Sequence, residues 1–154
     1  MGMYTELVLN CELKNDPTMV RRWKPIIDYM LGNTEEKPET PDHPLFTEHG
    51  RWSWMLRSSS YYFTPYSNSG LKEDNLYENK PMYFLHVKTD LKNYESEIEN
   101  FLKWLKTYID DSSYFLGYYI YEEDNFPTLI FNRAEELGTW TNSEPEVLYL
   151  NERT

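Results

Sequence analysis

The sequence is poor in the residues that most specialised chemistries draw on. It has one cysteine, six glycines and three histidines in 154 residues. A single cysteine excludes an internal disulfide and fits a reduced, cytosolic compartment. So few glycines leave little scope for backbone cradles around phosphates. No Gly-rich phosphate loop, nucleophile elbow or kinase signature occurs. No apolar run approaches the roughly 20 residues of a membrane helix, so no membrane partner is expected. The opening MGMYTELVLN lacks a basic segment followed by an apolar core, so no secretory signal is expected. Gly2 is followed by Glu6 where myristoylation would want Ser or Thr. Bases are also scarce: 15 Lys and Arg stand against 26 Asp and Glu, a net charge of -11. That balance argues against duplex nucleic acid as a direct partner, because phosphate binding needs clustered cations. It serves solubility, and it also suits a surface that competes for a basic groove on another protein.

What the chain has in quantity is aromatic residues, 17 % of the total, with 14 Tyr and 5 Trp. That load implies a packed core and not a disordered chain, and the length suits one domain spanning 1–154. One stretch stands apart. RWSWMLRSSSYYFTPYS, residues 51–67, holds two Trp, three Tyr, one Phe and two Arg without a single acid. The flanks are acidic: residues 33–49 carry five acids against one Lys, and 121–154 carry eight against two Arg.

Residues 3–13 alternate, with Thr5, Leu7, Leu9, Cys11 and Leu13 on one side and Glu6, Asn10 and Glu12 on the other, which predicts a half-buried strand. Asp16-Pro17 then reads as the cap and first turn of a helix over 17–31. Met19, Val20, Trp23, Ile26, Ile27, Met30 and Leu31 form its apolar stripe, and Gly32 closes it. Pro25 should kink it. A similar unit follows 78 residues later, where Leu85 and Val87 answer Leu7 and Leu9, and DLKN at 90–93 answers ELKN at 12–15. Its helix is expected at 94–109, with Phe101 and Leu105 in the places of Trp23 and Ile27. Each helix is followed by two strand-like runs, at 51–57 and 60–66 and at 114–122 and 127–133, and a last short strand is expected at 146–150. Residues 67–81 read as the connection between pseudo-repeat halves 1–66 and 82–154. Two readings of the likeness stay open, a duplicated βαββ unit and shared patterning alone.

The expected fold is therefore α+β: a mostly antiparallel sheet of six or seven strands, with two helices on one face and the other face partly open. In strand 51–57, alternation would turn Trp52, Trp54 and Leu56 to the helices and Arg51, Ser53, Met55 and Arg57 outwards.

Candidate chemistry is sparse. Cys11, on the inward face, reads as a small hydrophobe. His43, His49 and His86 are scattered and match no metal-ligand spacing, and no cofactor motif is present. The acid runs Glu35-Glu36, Glu122-Glu123-Asp124 and Glu135-Glu136 read as solvated turns, without the ordered spacing of a calcium loop. The remaining feature is the open sheet face, expected to present Arg51, Ser53, Arg57, His86, Lys88, Tyr119 and Tyr121. Aromatic rings beside guanidinium groups can stack a base and hold a phosphate, so this face is the candidate ligand site. The same residue types are enriched at oligomer interfaces, so a homodimer contact is the competing reading.

MYTELVLN with ELKND, then PDHPLF, SSYY and YEEDNFPTLIF, resemble segments of small uncharacterised proteins encoded by bacteriophages and prophages, over most of the chain. The resemblance carries no catalytic residues. It implies an accessory protein of the host-cell cytoplasm that binds and blocks a host machine, as anti-CRISPR-like inhibitors do, or that sequesters a nucleotide signal. Three classes of function follow: a non-enzymatic binder of a host protein, inhibiting a host defence system; a nucleotide-binding protein using the open face; and an enzyme built around His86 and nearby tyrosines or acids.

Overall fold

The computed structural model describes residues 3–47, 50–60, 62–63, 66–75 and 80–141. Six strands and two helices follow in the order β1 (Thr5–Leu13), α1 (Pro17–Leu31), β2 (Gly70–Asp74), β3 (Met82–Leu91), α2 (Glu97–Lys106), β4 (Phe115–Tyr121), β5 (Thr128–Asn132) and β6 (Leu137–Thr141). They form one sheet in the order β2-β3-β1-β4-β5-β6, with every neighbouring pair antiparallel. β1 and β2 are thus parallel with β3 between them, and β3 and β4 are parallel with β1 between them. These are two interleaved split βαβ units, the connectivity of ferredoxin-like domains, extended by the strands β5 and β6. The second unit reverses both strand direction and direction of travel. Right-handed crossovers therefore send both helices to the same face.

The expected α+β architecture stands. In the central pair, Leu9 lies opposite Val87, Leu7 opposite Thr89 and Cys11 opposite Leu85. Leu9 and Val87 are also the equivalent residues of the 78-residue repeat. The two strand-helix units are thus related by a pseudo-twofold axis that passes between these side chains.

α1 buries Trp23, Ile26, Ile27 and Met30, and α2 buries Ile98, Phe101, Leu102, Trp104 and Leu105. Both stripes pack on the sheet side formed by Leu7, Leu9, Leu13, Leu85, Val87 and Ile130, in one continuous core. Trp23 meets Tyr83 edge to face at 5.0 Å and donates its indole N–H to the Lys14 carbonyl at 2.9 Å. α1 runs unbroken through Pro25. Asp16 sits at its N-cap in extended conformation, but its side chain makes no capping bond. In α2, shorter than expected, the first-turn N–H of Ile98 is capped by the Asn93 side chain at 2.8 Å. Glu97 and Glu99 in the first turn and Lys103 and Lys106 towards the end complement the helix dipole.

The strands expected at 51–57 and 60–66 are not formed among the described residues. Arg51–Ser53 is a short 3-10 helix, followed by turns. Trp52, Met55 and Leu56 are the buried residues there, a spacing of one helical turn, while Trp54 is 64 % exposed. The segment plugs the gap between the helices. Trp52 packs on Tyr29 of α1 and on Phe46, and Phe46 on Trp104 of α2, at 5.8, 4.9 and 5.5 Å. The partner strand of β3 comes instead from the expected connection, as GLKED in β2. This is a short, charged strand of the kind that suits a sheet edge. The first half is therefore not a βαββ unit. The strand expected at 146–150 lies outside the described residues.

Candidate binding surfaces

Strand register sorts the residues of the sheet face away from the helices into rows. One row runs Lys88, Val8, Tyr118, Leu129, Trp140, and the next begins His86, Asn10 and ends Phe131, Gly138. Of the seven residues expected on this face, only His86 and Lys88 are there. Tyr119 and Tyr121 pair with Leu7 and Thr5, which places them on the helix side. There they border a hollow with Asn93 and Glu99. The β-bulge between Phe115 and Gly117 lets Leu116 join the core.

Arg51, Ser53 and Arg57 also lie on the helix side, because their segment is not a strand. Arg57 closes α1: its Nε donates to the Met30 carbonyl at 3.0 Å and its Nη2 to the Ser53 carbonyl at 3.3 Å. Its guanidinium also lies 4.4 Å from the Trp54 ring centre. Gly32, at φ 79°, leaves room for it, since a Cβ there would meet the Arg57 guanidinium. The Ser53 hydroxyl donates to the Gly50 carbonyl. Arg51 contacts the Glu97 carboxylate at 3.4 Å and the Tyr94 ring at 5.7 Å. The local basicity of 51–67 thus serves a helix terminus and an ion pair, and the seven residues do not converge.

His86 is exposed, with its ring beside Gly70 of β2. Lys88 is enclosed in a charged cluster. Its ammonium stands 3.1 Å from Glu6 and 3.6 Å from Asp90, which is fully buried. The Tyr118 hydroxyl donates to Glu6 at 3.2 Å, and burial, then the Glu6 charge, pushes its pKa above the ordinary tyrosine value. Ser58 and Tyr62 help to close this end of the sheet. Ser58 accepts the Asp90 N–H at 3.0 Å, and the Tyr62 hydroxyl donates to the Glu122 carbonyl at 2.6 Å. Cys11 is buried beneath the helices, and burial pushes its thiol up to about 12, so it is a packing residue. Among the described residues no group of three or more His, Cys, Asp or Glu side chains converges as metal ligands would.

The other end of the outer face is apolar. Phe115 and Phe131 sit opposite each other with ring centres 5.5 Å apart, and Tyr114 stands 5.5 Å from Phe131. Trp140 lies across from Leu129. Tyr114, Phe115 and Trp140 are 68, 53 and 54 % exposed. Sequence reasoning missed this strip, although a signal existed: in FLGYYIY and TLIF the positions facing away from the helices are as apolar as those facing in. The turns around it are acidic. Residues 110–141 carry seven acids against a single base, Arg133.

The chain matches no protein-family model, and no curated protein or solved structure shows significant similarity to it.

Proposed function

We propose that this protein is a non-enzymatic binder that docks on a basic surface of another protein through the outer face of β4, β5 and β6. The observation that carries this reading is the aromatic strip formed by exposed Tyr114, Phe115 and Trp140 with half-buried Phe131, set among acidic turns. Aromatic faces supply apolar area at little entropic cost and attract Lys and Arg side chains. The acids around them add long-range attraction for a cationic partner. Such a surface occupies a groove that would otherwise take nucleic acid. That is how an anti-CRISPR-like phage accessory protein would block a host defence machine, and the resemblance to phage-encoded proteins points the same way. Self-association through this face is opposed by the net charge of -11 on each copy. In a test by affinity capture from bacterial lysate, the retained partner is expected to be basic and to elute between low and moderate salt. Retention indifferent to salt, or a chain that is dimeric in sedimentation and captures nothing, would count against the proposal.

A further inference from the structure

A second surface, on the helix side of the molecule, is independent of the aromatic strip. A cleft of about 480 Å³ opens where the start of β1, the end of β3, the 3-10 turn and the beginning of α2 meet. It is within the usual range for small-molecule sites, about 300–1,000 Å³. In a chain of net charge -11, its charged lining among the described residues is two cations, Arg51 and Lys92, against one acid, Glu97. The cations come from different elements, Arg51 from the 3-10 turn and Lys92 from the residue after β3. Lys92 is held over the Tyr4 ring at 5.7 Å, and Arg51 over Tyr94 at 5.7 Å. The Arg51–Glu97 contact is long, at 3.4 Å, and the Arg51 side chain is 47 % exposed. Its remaining donors are therefore accessible to an incoming anion.

Trp54 stands on the lip of this cleft, largely exposed. An exposed indole is usually mobile, but this one is backed by the Arg57 guanidinium, itself tied to two main-chain carbonyls. The ring is thus presented to solvent already in place, which lowers the entropic cost of stacking against it. Glu97 is buried, with one carboxylate oxygen on Arg51 and the other accepting the Glu95 N–H at 3.0 Å.

We propose that this cleft binds a small planar organic anion, a nucleoside phosphate, with the base stacked on Trp54 and the phosphate between Arg51 and Lys92. Two cations suit one phosphate group, whereas a nucleic acid strand needs a longer basic track. Tyr4 and Ser58 also line the cleft.

The test is calorimetry of the wild-type protein against inorganic phosphate, mono- and dinucleotides and cyclic nucleotides, with indole N–H signals followed by NMR. At least one nucleotide should bind and move the Trp54 indole signal, while inorganic phosphate binds at least tenfold more weakly. Trp54→Ala should weaken binding about tenfold, in the range of base–aromatic stacking. Arg51→Gln with Lys92→Gln should abolish it, with circular dichroism unchanged. If the double variant unfolds, Lys92→Gln alone carries the test and should still cost about tenfold. No binding at millimolar nucleotide overturns the proposal. So does binding that leaves Trp54 unmoved, or that is no tighter than phosphate.

Discussion

Replacing Lys88 by Met removes a cation from a place where two carboxylates face each other. Glu6 and Asp90 are direct cross-strand partners on β1 and β3, a like-charge pairing that destabilises a sheet. Lys88 offsets it from 3.1 and 3.6 Å, with its ammonium shut off from solvent. At an effective dielectric of about 20, each contact is worth roughly 5 kcal/mol of Coulomb energy, most of it cancelled by desolvation. Removing one partner of a buried pair costs about 3–5 kcal/mol, because the opposite charge is left without compensation. The Lys88 side chain is 25 % exposed, so Lys88→Met should cost somewhat less, about 2–4 kcal/mol. Urea unfolding followed by tryptophan fluorescence would read this, and Tm should fall by roughly 2–4 °C per kcal/mol for a chain of this size. Adding Glu6→Gln should restore part of the loss, since one stranded charge goes with it. A Lys88→Met variant within about 0.5 kcal/mol of wild type, the scatter of ordinary surface substitutions, would refute the reasoning. A double variant less stable than the single one would refute it too.

Trp52→Ala should cost about 3–5 kcal/mol, the usual loss for a buried aromatic, whereas Trp54→Ala should change stability by less than about 1 kcal/mol; both are read by urea titration. Arg57→Ala should lose about 1–3 kcal/mol through its bonds to the α1 terminus, and Arg57→Lys should not restore them, because an ammonium lacks the fork of donors. Cys11 should resist thiol reagents at pH 8 until the protein is unfolded. Its thiol is raised from 9.0 to about 12 by burial, so the stability it contributes is fully present below pH 9 and is lost as pH rises towards 12. Alkaline unfolding of Cys11→Ala should be correspondingly less steep; equal steepness would contradict the assignment.

The alternation of Thr5 to Leu13 and the stripe from Trp23 to Met30 were legible in the sequence because one face of each is buried and the other wet. Where that asymmetry fails, so does the reading. In 51–57 the apolar residues satisfy both a period of two and a helical turn, and only Phe46 and Tyr29, brought from elsewhere, select Trp52, Met55 and Leu56 for burial. β2 was missed because GLKED has no apolar periodicity; its place is set by pairing with β3. Tyr119 and Tyr121 were assigned to the wrong face because FLGYYIY is apolar or aromatic throughout, and only the pairing with Leu7 and Thr5 fixes which side is in. The clefts and strips follow from these placements. Arg51 and Lys92 are 41 positions apart in sequence, and no local pattern announces that they line one cleft.

The central claim is that the outer face of β4, β5 and β6 is the docking surface. It is tested most directly by capturing partners from bacterial lysate in parallel on wild type and on Phe131→Ser with Trp140→Ser. Both substitutions lie on the face away from the core, and the double variant should keep the wild-type circular dichroism spectrum. The account predicts a basic protein that the wild type retains at low salt and the double variant releases. A partner held equally well by both proteins would contradict it.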